Sequence, residues 1–137
     1  MATDADCIFC KIIAGEIPSE RVHEDDQTYV FMDIRPGNRG HALVIPKNHT
    51  QDLTTIEPAD LSACAIRAQD IARRAKDKLG ASGVNLLNCC GADAWQTVFH
   101  FHLHVVPRYP DDSLQLPWIP APGDPEQIAQ AAQLLRS

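Results

Sequence analysis

Three histidines alternate along the run His100-Phe101-His102-Leu103-His104-Val105-Val106. A β-strand repeats every two residues, so the spacing predicts three imidazoles on one face, with neighbours roughly 6–7 Å apart. The intervening Phe101, Leu103 and Val105 suit the buried face. The chain holds six histidines in all, and packing alone does not ask for half of them in one short run. Neutral imidazole is a nucleophile, a general acid or base and a metal ligand, with a pKa that small shifts carry across neutrality. Two same-face imidazoles can reach one tetrahedral zinc. A nucleophile needs instead a neighbouring group that binds its electrophile. The bland alternative is three surface histidines on an exposed strand.

A second constellation is Cys7-Ile8-Phe9-Cys10. A C-x-x-C pair points to zinc or to a redox couple, but the βαβ pattern expected around a redox pair is absent. Zinc requires two more ligands. The alternative is that both thiols are small apolar residues of a docking helix. Five cysteines, an odd number, argue against a disulfide framework. Cys64 falls at a core position of a predicted helix, and Cys89 and Cys90 read as strand-end residues.

Such residues need elements to position them. The spacing predicts a short helix or turn over Cys7 to Ala14, then strands at Val22 to Glu24 and Thr28 to Met32 around an Asp25-Asp26 turn. A loop from Arg35 to Gly40 leads to a strand from His41 to Ile45, stopped by Pro46. Pro58 to Leu79 is the clearest helix, with Leu61, Cys64, Ala68, Ile71 and Ala75 at helical spacing and Gly80 after its end. Strands follow at Gly83 to Asn88 and Phe99 to Val106. A last helix begins at Asp124-Pro125 and is expected to bury Ile128, Leu134 and Leu135. Short connections favour antiparallel pairing, so the fold class is α+β: a five-stranded antiparallel sheet with one long helix and short terminal helices.

The whole chain, 1–137, reads as one domain, with its core at about 7–110 and a proline-rich tail and helix at 111–137. Net charge is −6, from 12 basic and 18 acidic residues, which disfavours binding to a nucleic-acid polymer. No run approaches the ~20 apolar residues of a membrane span, and no signal peptide is visible, so the expected location is the cytoplasm.

Gln96-Thr97-Val98 leads directly into the histidine run. Asp33-Ile34, His41-Ala42-Leu43-Val44-Ile45-Pro46-Lys47 and Asn88 precede it in order. Together these residues resemble the signature of the histidine triad (HIT) superfamily, in its bacterial-type branch with Hint-like and Fhit-like nucleotide hydrolases. The resemblance implies a nucleotide hydrolase or transferase that cleaves at the α-phosphate and releases a nucleoside monophosphate. Its substrates would be purine nucleotides, either phosphoramidates or dinucleoside polyphosphates. It makes His102 the nucleophile, with His104 and His41 assisting at the phosphate and leaving group and His100 orienting the cluster. Asp33 would accept from the ribose hydroxyls, Ile34 would pack on the base, and Asn88, Gln96 and Thr97 would contact phosphate or leaving group. It also implies a homodimer with a ten-stranded sheet, and a structural zinc held by Cys7, Cys10, His49 and His100. No catalytic metal is expected.

His100 is therefore claimed twice, as metal ligand and as part of the active site. Trp95 departs from the family pattern, which has glycine there, and Cys89-Cys90-Gly91 replaces an expected polar stretch. Two competing readings stay open: a catalytic zinc held by the three histidines, and a nucleotide-binding regulatory module with little turnover. His23, alone on its short strand, reads as a surface residue.

Overall fold

The computed structural model describes residues 1–136. Helix α1 (Ile8–Ile13) is followed by strands β1 (Arg21–Glu24), β2 (Thr28–Met32) and β3 (Ala42–Pro46). The long helix α2 (Pro58–Leu79) leads to β4 (Gly83–Leu87), a 3-10 turn at Ala92–Ala94, β5 (Leu103–Arg108) and α3 (Pro125–Arg136). The strands form one antiparallel sheet in the order β1-β2-β3-β5-β4.

Period-2 alternation splits this sheet into two faces. Val30, Ala42, Val44, Leu103 and Val105 pack with Phe101 against Cys64, Ala68 and Ile71 of α2. Tyr29, Phe31, Leu43 and Ile45 face the other way and pack with Phe9 and Ile12 of α1. Leu43 lies opposite His104 in the β3–β5 register, so His104 shares the α1 face. His41 and Asp33 stand two residues from Leu43 and Phe31, and the same alternation turns them to that face. The sheet thus delivers three polar groups to one place, one just past the end of β2, one just before β3 and one from β5.

Helix α2 starts at Pro58 in its first turn and ends at Gly80, which takes φ +71°, the left-handed conformation that closes helices. Burial pushes the thiol of Cys64 on its inner face up to about 12, so this cysteine stays a protonated apolar side chain. No helix among the described residues is long and apolar enough to cross a membrane.

Two expectations are corrected. The last strand begins at Leu103 rather than Phe99. Residues 100–102 keep the in-and-out alternation without a ladder, the Phe101 amide donating instead to the Thr50 carbonyl at 2.8 Å, while Phe99 is exposed. Helix α3 forms where its cap predicts, with the Asp124 carboxylate accepting from the Glu126 amide at 3.0 Å. It buries none of its apolar stripe: Ile128, Leu134 and Leu135 are 59%, 76% and 86% exposed. Caps and helical spacing act locally; which surface covers a stripe is a tertiary matter they do not encode.

The loop between β2 and β3 turns on Gly40, at φ +88°, where an added Cβ would overlap the Leu79 side chain and sit 3.1 Å from Pro107 Cγ. Gly80 is also left-handed but has nothing within 4 Å. Gly80→Ala should therefore cost only the left-handed backbone term, about 1 kcal/mol. Gly40→Ala should cost about 2–4 kcal/mol, because overpacking adds to that term. Urea denaturation midpoints of the two variants measure the difference; equal losses would contradict this account of the loop.

Candidate functional site

The α1 face holds a cavity of about 270 Å³. Its apolar walls include Phe9, Ile17, Phe31 and Leu43, and its polar lining includes His102, His104, Asp33 and Thr97. Ile34, 90% exposed, stands among its lining residues. An apolar slot with a few convergent polar groups is what a flat heteroaromatic ligand with a polar substituent requires.

Backbone groups define the protonation of the imidazoles beside it. Nδ1 of His102 lies 2.7 Å from the His100 carbonyl. A carbonyl only accepts, so Nδ1 carries the proton and Nε2 keeps its lone pair. Nδ1 of His41 lies 2.9 Å from the Gly37 amide. An amide N–H only donates, so this Nδ1 is unprotonated and the neutral ring carries Nε2–H. That proton is donated to His104 Nδ1 at 2.9 Å, which leaves His104 with Nε2–H. Burial holds His41 and His102 below the ordinary histidine range, against the pull of the Asp33 carboxylate. Burial and the neighbouring His102 and His41 push His104 down to about 4. All three rings are neutral at pH 7, each with a defined tautomer.

His100 belongs elsewhere. It is fully buried, its Nε2–H donates to the Pro46 carbonyl at 2.8 Å, and its Nδ1 turns towards Cys7, Cys10 and His49. Nδ1 of His100 lies 3.4 Å from Cys7 Sγ, 3.6 Å from Cys10 Sγ and 3.1 Å from His49 Nδ1. Cys10 Sγ is 3.4 Å from His49 Nδ1. A tetrahedral zinc with bonds of about 2.3 Å to sulfur and about 2.0 Å to nitrogen sets S···N separations of roughly 3.5 Å. Two soft sulfurs, two imidazoles and a backbone acceptor behind one ring make a donor set that fits zinc. Burial raises the Cys10 thiol above its ordinary value, so a metal entering here must displace a proton.

Asp33, His41 and His104 also cluster closely enough to suggest a metal, but their surroundings are wrong for one. A ligating imidazole needs an acceptor behind its other nitrogen. His41 has the Gly37 donor there, so freeing Nε2 for a metal would cost either that hydrogen bond or the ring's neutrality. The chemistry of this cluster is proton placement.

The remaining sequence-predicted residues divide. Asp33 accepts from the Arg35 amide at 2.8 Å, and its second oxygen stands 3.5 Å from His41 Nε2. Thr97 is exposed at the cavity. Asn88 and Gln96 are engaged within the protein. Nδ2 of Asn88 donates to the His102 carbonyl at 2.9 Å, while its Oδ1 is buried without a partner. The Gln96 amide accepts from Gly91 at 2.8 Å and donates to the carbonyls of Gln51 and Val98 at 2.8 and 3.1 Å. It staples the loop entering the histidine run. Trp95 takes φ +73°, so it keeps the left-handed backbone that glycine favours. His23 is half-buried and donates to Asp25 at 3.1 Å. Sequence reading missed the Gly37 amide, since a backbone donor leaves no signal in residue type.

His104 is one of the buried imidazoles that make stability depend on pH. Its folded pKa of about 4 lies below the ordinary ~6.5, so the unfolded chain binds the extra proton first. This contribution is complete above about pH 6.5 and is lost as pH falls towards 4. Urea midpoints should drop across that window for the native chain and drop less for His104→Asn. Parallel curves for the two proteins would contradict the buried neutral ring.

The family profile described as the HIT domain matches residues 14–111. Protein hit of Bacillus subtilis is 44% identical over 103 residues, which cover 75% of this chain and 71% of that protein. Adenylylsulfatase HINT3 of Arabidopsis thaliana is 38% identical over 109 residues, covering 80% of this chain and 55% of the plant protein. The crystal structure of a Zn-bound histidine triad family protein from Mycobacterium smegmatis matches with a TM-score of 0.78 and 44% identity, over 96% of each chain. The matched profile takes in β1 to β5, the cavity's imidazoles and the loop before them. On that evidence of sequence and fold, the chain belongs to the HIT family.

Proposed function

We propose that this protein is a nucleotide hydrolase or transferase that works at the α-phosphate through a covalent nucleotidyl-histidine, with His102 as nucleophile. The observation that carries the reading is the 2.7 Å bond from His102 Nδ1 to the His100 carbonyl, which leaves Nε2 as an unprotonated nucleophile beside the cavity. Nε2 attacks the α-phosphorus and the bond to the leaving group breaks, its electron pair departing with that group. The ring becomes cationic, and the His100 carbonyl then holds a more acidic N–H. This interaction is stronger in the transition state than before it. Water next attacks phosphorus, the P–N bond breaks and returns its electrons to Nε2, and the water's proton goes to solvent. The product is a nucleoside monophosphate.

In this reading the Nε2–H of His104 donates to a phosphoryl oxygen or to the leaving atom, and His41 fixes that proton's place. Asp33 takes the ribose hydroxyls, Ile34 covers the base, Thr97 meets the polar groups between, and Asn88 acts through its bond to the His102 carbonyl. Gln96 acts by shaping the loop. Cys7, Cys10, His49 and His100 would hold a structural zinc, whose chemistry would be a cross-link between α1 and the segments after β3 and before β5. A homodimer with a ten-stranded sheet is supported by the outer edge of β4 and by its exposed Leu86 and Leu87.

Leaving groups are to be compared by kcat/KM across adenosine phosphoramidates, dinucleoside polyphosphates and adenylylsulfate, the last suggested by the Arabidopsis relative's name. His102→Ala should lower AMP release by at least about a thousandfold with fold and zinc content kept. Metal analysis should find one zinc per chain, lost in Cys10→Ala together with several degrees of Tm. Chelated protein that stays folded should still release AMP. Activity that vanishes on chelation while the fold persists would overturn the metal-free mechanism.

A further inference from the structure

The Gly37 amide that fixes the His41 tautomer sits in a loop with no regular structure of its own. That loop is fastened at Asn38, whose Nδ2 donates to the Pro107 carbonyl and to Asp112 Oδ2, both at 2.9 Å. Asp112 is the fixed end. Its Oδ2 also accepts from Arg108 Nε at 2.8 Å and from the Tyr109 amide at 2.9 Å. Its Oδ1 accepts from Arg108 Nη2 at 2.8 Å and from the Leu114 amide at 3.3 Å. The Asp112 side chain is only 6% exposed. The Leu114 methyls lie 3.7 and 3.8 Å from where a Gly37 Cβ would stand, so the tail that Asp112 anchors also covers Gly37. A lone surface ion pair contributes little, but a bidentate fork joined to three further donors defines a position.

We propose that Asp112 is a positioning residue for the His41–His104 pair, acting through Asn38 and the Gly37 amide without touching substrate. The inference rests on the reading of the site given above. If the loop drifts, Gly37 leaves His41 Nδ1 and the ring is free to take the Nδ1–H form. His41 Nε2 then faces His104 as an acceptor, the His104 proton moves to Nδ1, and its Nε2 presents a lone pair to an anionic phosphate. One displaced amide thus turns a donor into a repulsive acceptor. The apolar cavity that binds the base is unchanged.

Asp112→Ala should lower kcat about 10–100-fold, the range for removing a supporting hydrogen bond behind a functional ligand. KM should move less than about threefold, because ground-state binding is untouched. Asn38→Ala, which leaves the Arg108–Asp112 pair in place, should do the same and serves if Asp112→Ala does not fold. Added to His41→Ala, either change should cost nothing more in kcat. An unchanged kcat in the single variants, or a full additional loss on the His41→Ala background, would overturn the proposal. Nitrogen-15 NMR of His41 without substrate separates the two readings. Nε2–H in the native chain and mixed tautomers in Asn38→Ala support the positioning role even if no nucleotide is hydrolysed; a single Nε2–H form in both proteins contradicts it.

Discussion

The imidazoles of His41, His100, His102 and His104 are governed, directly or through one neighbour, by backbone groups. The His100 carbonyl takes the Nδ1 proton of His102, the Gly37 amide excludes a proton from Nδ1 of His41, and the Pro46 carbonyl takes the Nε2 proton of His100. These bonds convert three chemically identical side chains into a ring with a free Nε2, a ring with a defined donor and a ring with a free Nδ1. A backbone dipole costs no reorganisation when charge develops, which is why such an arrangement suits catalysis. Residue identity alone would leave each ring with two tautomers of similar energy.

His100 joins the two halves of the site. Its ring turns into the Cys7–Cys10–His49 cluster while its carbonyl points at His102 Nδ1. A zinc held on that ring would therefore fix the acceptor on which the neighbouring ring depends. The two claims on this residue are compatible, because one uses the side chain and the other the main chain. Phe9 of α1 reinforces the junction with edge contacts to both His100 and His102, at centroid distances of 5.8 and 5.2 Å. Helix α1 is too short to be stable alone, and its place is set by Phe9 and by the two cysteines that flank it.

Much of this was legible in the sequence, for reasons that can be named. Alternation revealed which of Phe101 to Val105 face the core, and it survives through Phe101 and His102 even where no ladder forms. Helix α2 announced itself through Pro58, Gly80 and its Cys64–Ala68–Ile71 stripe. The cysteine–histidine quartet lies within one cluster, as the resemblance implies. Specific hydrogen bonds made by loop residues are not legible: Gly37 to His41, Asn38 to Asp112, and the Gln96 staple to Gln51 have no signature in spacing or composition. Polar residues read as phosphate contacts, Asn88 and Gln96, turn their amides to protein carbonyls. The stripe of α3 is exposed where burial is expected, because periodicity specifies a face and never its partner.

With His102 as nucleophile, displacement at the α-phosphorus occurs twice, first by His102 Nε2 and then by water. The stereochemical course at that phosphorus tests it most directly, using a substrate with a chiral α-phosphorothioate hydrolysed in oxygen-18 water. Each in-line displacement inverts the centre, so the account predicts net retention of configuration in the nucleoside monophosphorothioate. Net inversion would show a single direct attack by water and would contradict it.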